Sequence, residues 1–272
     1  MENIILGRTL YEDDFKTDEP EDAGCTHAPL EDAGCTFLKE IYLSGEFNHL
    51  ELFSEAYNKI KLDDYYKIKN FLIEKKVSLS YHPWLDISTF TFSDKVINLK
   101  QIIRDCEKIG MKYCVLHLGS FEGDKYECLQ NLVEVFGEIL DNFSTVKVCL
   151  ENVPLICEWD DKTMLGSAIE DFDYIFSKIN SENLGMNIDV GHCNLTSNNF
   201  SDLVGNFSEK IFSAHLSDNN GIKDEHIALG KGNIKWEEIF KVFKDMNFKG
   251  PFVLELKEEY IKESYNFLKQ FI

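Results

Sequence analysis

Short runs of apolar or alternating residues recur along the chain, separated by longer stretches with helical spacing. The runs at 3–6 (closing at Gly7), 49–53 (HLELF), 77–82 (VSLSYH), 113–117 (YCVLH), 146–151 (VKVCLE), 186–189 (MNID), 211–215 and 252–255 (FVLE) read as strands. Between them, Val96, Leu99, Ile103, Cys106 and Ile109 keep one helical face that Gly110 stops. Leu129, Leu132, Val133, Phe136 and Leu140 make another, as do Ile169, Phe172, Ile175, Phe176 and Ile179. A short helix is expected over 200–210, a longer one along Trp236, Ile239, Phe240, Phe243 and Met246, and a last one along Ile261, Tyr265, Leu268 and Ile272. Eight strands alternating with helices over 272 residues predict one α/β domain, residues 1–272, folded as a (β/α)8 TIM barrel. One stretch breaks the rhythm: EDAGCT at 21–26 recurs at 31–36, in a segment that contains Pro20, Pro29, Gly24 and Gly34, and reads as a long loop carrying a local duplication.

Composition changes this picture little. The chain is 44% apolar and 28% charged, ordinary proportions for one large domain. No apolar run approaches the roughly 18 residues of a membrane helix, and the first residues do not read as a signal peptide, so a cytoplasmic protein is expected. Eight cysteines include no CxxC pair and read as reduced thiols. Charge matters more. Lysine and arginine number 28 against 48 acids, a formal charge of −20, and the arginines are Arg8 and Arg104 alone. Such a field works against a nucleic-acid partner, although bound metal can invert its local sign.

The candidate chemistry lies where the strands stop. Strands three to eight end at His82, His117, Glu151, Asp189, His215 and Glu255, all metal-ligand types. In a parallel barrel those ends converge on one face, so residues far apart in sequence become neighbours. So many ionisable groups on one rim would repel or stay unpaired without a cation, which predicts a divalent metal site. Imidazole and carboxylate together suit Zn, Mn or Co. The loop after the seventh strand adds Asp218, Asp224 and His226 before a Gly-x-Gly turn at Gly230 and Gly232. His27 and His49 are expected at the surface, and Cys193 is expected on a strand, facing away from the metal.

The blocks LENVP, NIDVGHCNL, HLSDNNGIKDEHIALGKGNI and FVLELKEE resemble the signature segments of the xylose isomerase-like barrel superfamily. It groups sugar phosphate isomerases and epimerases with the endonuclease IV (AP endonuclease family 2) proteins. The resemblance implies one divalent ion held by Glu151, Asp189, His215 and Glu255 in the isomerase branch. In the endonuclease branch it implies three zinc ions, with His82, His117, His192, Asp224 and His226 as further ligands. All nine positions are matched here.

Isomerisation or epimerisation of a small carbohydrate is the leading expectation from the sequence. Glu151 and Glu255 would exchange a proton beside a carbonyl that the ion polarises, worth roughly 10²- to 10⁴-fold for the acid–base part. Trp84 and Lys223 are the expected substrate contacts. Two departures stand out: Lys223 occupies the loop where ketose epimerases carry an arginine, and Glu158 sits out of register for their second strand-five glutamate. The alternative is a trinuclear zinc phosphodiesterase acting on abasic DNA, with Trp84 and Leu85 as apolar wedges.

Overall fold

The computed structural model describes residues 5–10, 47–53, 69, 72–83, 85, 87, 92–142, 145–156, 162–196 and 200–271. Its strands are β1 (Ile5–Leu10), β2 (His49–Phe53), β3 (Ser78–His82), β4 (Tyr113–Leu116), β5 (Lys147–Glu151), β6 (Leu184–Asp189), β7 (Ile211–Leu216) and β8 (Pro251–Leu254). They pair in chain order, every pair parallel, and β1 closes on β8. The expected (β/α)8 barrel is the fold. The first strand runs through Gly7 rather than ending there, and β4 and β8 stop one residue short of His117 and Glu255, which begin the loops that follow. A Cβ on Gly7 would lie 2.7 Å from His49 Cδ2, so the bare backbone makes room for that ring.

The helices are α1 (Phe92–Ile109), α2 (Lys125–Leu140), α3 (Ile169–Lys178), α4 (Val190–Cys193), α5 (Phe200–Phe207), α6 (Trp236–Asp245) and α7 (Glu258–Leu268). Val96, Leu99, Ile103, Cys106 and Ile109 are buried on one face of α1, and Gly110, at φ +87°, ends it by donating to Cys106 O. Asp124 caps α2 by accepting from the Tyr126 and Glu127 amides. These helical faces pack on the outward side chains of the strands to form one apolar core.

The barrel interior is different in kind. Inward positions usually hold branched apolar side chains. Here Thr9, His49, Glu51, Ser80, Asn187 and Ser213 are buried there and bonded to one another or to the residues above them. His49 is thus fully buried between Ser78 and Ser80, not at the surface as the sequence suggested. Alternation in HLELF reads as a half-wet strand in isolation, but a closed barrel encloses both faces.

The repeated EDAGCT segments, His27, Trp84 and Glu158 lie outside the described residues. Among the described residues, Cys106, Cys114, Cys128, Cys149 and Cys193 are free thiols, and no helix is long and apolar enough to cross a membrane.

Candidate metal centre

Three sets of ligand atoms, each lying within 4.8 Å of one another, gather the nine candidates at the C-terminal ends of the strands. His82, His117 and Glu151 form the first, Glu151, Asp189, His215 and Glu255 the second, and His192, Asp224 and His226 the third. Glu151 belongs to two of them. Its carboxylate lies 3.3 to 3.6 Å from ring nitrogens of His215, His192, His82 and His117. Asn187 Nδ2 donates to Glu151 Oε2 at 3.0 Å, and Ser213 donates to Asn187 in turn, which fixes the carboxylate.

Local structure sets the other side chains. Asp189 ends β6 and caps α4, its Oδ1 accepting the His192 amide at 2.6 Å. That turn lifts His192 off the strand direction. Asn152 clips the end of β5 to this turn, donating to Asp189 O and accepting from the Asp189 amide. Cys193 lies on the same short helix rather than on a strand, and Asn152 Nδ2 reaches its sulfur at 3.4 Å. In the loop after β7, Asp218 is no part of the centre: buried, it accepts from the Gly230 amide, the Asn219 amide and Trp236 Nε1, and so clamps the turn. Gly232 passes so close that a Cβ would meet Asn219 O at 2.2 Å.

The electrostatics are those of a site built for cations. Burial alone would raise the Glu151 carboxyl, yet the surrounding imidazoles, His215 first and His82 next, hold it well below its usual range. Burial lifts Asp189 to about 7 against the pull of His192. Against burial, the carboxylates of Glu51, Glu151 and Glu255 push His215 well above its ordinary value. His82 Nδ1, Glu151 Oε1, Asp189 Oδ2, His215 Nδ1 and Glu255 Oε2 are all buried without a hydrogen bond. Each such group costs about 1–3 kcal/mol, so the arrangement persists only with something to satisfy it. Clusters of His, Glu and Asp are therefore positioned to coordinate a divalent ion, and the donor set suits Zn, Mn or Co.

The third set is the most telling. His192 Nδ1 and His226 Nδ1 each lie 2.8 Å from a backbone carbonyl oxygen, of Asn152 and Glu255 respectively, and so carry protons. Their Nε2 atoms both face Asp224 Oδ2, at 3.1 and 2.8 Å. In neutral rings those nitrogens are acceptors aimed at an acceptor. Either both rings take a second proton or a cation sits among the three. Accordingly, in the ion-free protein, Asp224's hydrogen bond and the Glu255 charge raise His226 to about 10 in spite of burial. His226 is also held at φ +46°, a conformation that costs roughly 1–3 kcal/mol and often marks function.

Lys223, an expected substrate contact, is exposed in the loop after β7, and Leu85 is half-buried against the core. Glu51 on β2 is a residue of the site that the sequence pattern does not single out. It forms a further set with His82 and His215, its Oε1 2.8 Å from His215 Nε2. Its signal was weak: one carboxylate in the middle of an alternating run.

The sequence matches the family described as Xylose isomerase-like TIM barrel over residues 44–271. The chain belongs to this family. An uncharacterized protein of Methanocaldococcus jannaschii is 31% identical to this xylose isomerase-like barrel over 195 residues, 64% of this chain. The match spans 62% of that relative's own length. A probable endonuclease 4 of Metamycoplasma arthritidis is 25% identical over 234 residues, 79% of this chain and 81% of that one. Among solved structures, a D-tagatose 3-epimerase-like protein superposes with a TM-score of 0.77 at 22% identity, covering 98% of this chain and 97% of its own. That likeness is one of fold.

Proposed function

We propose that this xylose isomerase-like barrel is a divalent-metal-dependent enzyme whose centre holds more than one ion and hydrolyses a phosphate ester. The set His192, Asp224 and His226 carries the reading. A one-ion isomerase would leave these three to substrate hydroxyls, but they offer three acceptors to a hydroxyl's single proton. With both Nδ1 protons given to backbone carbonyls, they have the orientation of ligands. This reverses the order that the sequence favoured. Ions bound here would polarise phosphoryl oxygens and neutralise their charge. We assign Glu151, shared between two sets, the acceptance of the proton from attacking water, with Asn187 and Ser213 holding its carboxylate in orientation. The relatives named as probable endonuclease 4 support phosphodiester chemistry. A formal charge of −20 argues against a duplex backbone, so a small phosphate ester is the substrate class we favour.

The test is steady-state hydrolysis, by protein reconstituted with Zn or Mn, of p-nitrophenyl phosphate, bis(p-nitrophenyl) phosphate and a duplex carrying an abasic site. Turnover of either small ester supports the proposal. Cleavage of the duplex alone would overturn the substrate class, and no hydrolysis of any would overturn the reaction.

A second reading is isomerisation or epimerisation of a small sugar, sugar phosphate or hydroxy-ketone. It is favoured by Glu255 Oε2 and Glu151 Oε2, which lie 3.0 and 3.3 Å from the same nitrogen of His215, and by the fold shared with the epimerase-like protein. In that case Glu151 and Glu255 pass the proton between carbons. Conversion of a ketohexose, followed by chromatography, would establish it, and an unchanged sugar in the presence of bound metal would remove it.

A further inference from the structure

We infer that Glu51 is a positioning residue that fixes which nitrogen of His215 binds metal; the inference rests on the metal-centre reading above. The two nitrogens of His215 face different surroundings. Nδ1 lies 3.0 Å from Glu255 Oε2, 3.3 Å from Glu151 Oε2 and 3.9 Å from Asp189 Oδ2, the members of one candidate set. Nε2 lies 2.8 Å from Glu51 Oε1, an ion-pair contact without the geometry of a hydrogen bond. Which nitrogen carries the proton therefore depends on what Glu51 can do.

A buried chain answers that. Ser80 Oγ donates to Glu51 Oε2 at 2.8 Å, which uses the hydroxyl's one proton. His49 Nε2, 2.9 Å from Ser80 Oγ, must then be the donor to it. His49 Nδ1 is left as an acceptor, 2.7 Å from Ser78 Oγ, whose hydroxyl points its proton at the ring. Every donor in the chain from Ser78 through His49 and Ser80 is directed toward one carboxylate. Thr9 Oγ1 adds a longer contact of 3.4 Å to Glu51 Oε1. A carboxylate so surrounded accepts only, so the proton of a neutral His215 is held at Nε2. The Nδ1 lone pair then faces Glu151, Asp189 and Glu255. A carboxylate behind a ligating imidazole fixes its tautomer and raises its basicity, and losing such a partner typically costs 10- to 100-fold in metal affinity.

The direct test is long-range ¹H–¹⁵N NMR of the zinc-loaded protein, with the His215 ring assigned by its disappearance in His215→Gln. A proton on Nε2 is expected, and a proton on Nδ1 would overturn the inference. In parallel, Glu51→Gln should weaken one bound ion by about 10- to 100-fold in chelator competition while the others keep their affinity. Unchanged affinity for every ion would overturn it, as would equal weakening of all, the mark of a general structural loss. If Glu51→Gln does not fold, Ser80→Ala takes its place with a smaller loss in the same ion, and the wild-type spectrum decides. A wild-type chain that takes up no metal would sink the metal centre itself. Bound zinc with the proton on Nδ1 sinks this inference alone.

Discussion

Acid should weaken this fold through His49, a residue that touches neither metal nor substrate in our account. Its imidazole is lowered from 6.5 to about 4, chiefly by burial and against the charge of Glu51. The neutral ring is what the chain requires, since Nδ1 must accept from Ser78 while Nε2 donates to Ser80. A folded value below the unfolded one means that His49's contribution is fully present above pH 6.5. It is lost as the pH falls from there toward about 4, because the unfolded chain binds the proton first. At about 1.4 kcal/mol per tenfold, the difference comes to about 3 kcal/mol. The assay is urea unfolding of metal-stripped protein between about pH 7.5 and pH 4, for the wild type and His49→Gln. His192, His226 and Asp189 also titrate unusually, but none of them acts on His49, so they are common to both proteins and cancel in the difference, whereas Glu51 and His215 do act on His49 and contribute to it. The stability advantage of the wild type should shrink by about 3 kcal/mol across that range. A difference that stays flat with pH would refute the buried, neutral His49 and with it the directed chain to Glu51.

Other substitutions probe the centre itself. Glu151→Gln, at the residue shared by two sets, should abolish turnover and reduce the number of tightly bound ions, read by activity and elemental analysis together; wild-type turnover would remove its assigned role. Glu255→Gln should likewise abolish turnover and weaken the ion nearest His215, as measured by chelator competition. His226→Ala should remove one ion and leave the other two sets able to bind; unchanged stoichiometry would mean the third set binds substrate. Gly232→Ala should destabilise the protein by about 1–3 kcal/mol in urea unfolding, because its Cβ would meet the Asn219 carbonyl and Asp218 at 2.2 Å.

The strand ends were legible in the sequence because a parallel barrel turns six separated positions into one rim, and a ligand-type residue closing each run is hard to miss. The helices were legible from their apolar faces, as in α1, where the residues of the expected stripe are all buried. The layer beneath the rim was not. Glu51, His49 and Ser80 are polar residues within short strands, and nothing local distinguishes a polar side chain facing water from one enclosed in a barrel. Asn152 and Asn187 act by holding Asp189 and Glu151, through contacts 37 and 36 residues away that no spacing rule announces. Asp218 misled in the other direction: beside His215 it looks like chemistry, yet its carboxylate is consumed by the amides and indole that close the loop. The proposal of more than one ion also needed structure, since it rests on the placement of the His192 and His226 Nδ1 atoms on backbone carbonyls.

The most direct test of the account is the metal content of gently purified protein, counted as moles of each element per chain by mass spectrometry. A centre built from three sets, two of them sharing Glu151, predicts more than one divalent ion, approaching three, with zinc the expected element. A single exchangeable ion at full activity would contradict it, returning His192, Asp224 and His226 to the substrate and the chemistry to isomerisation.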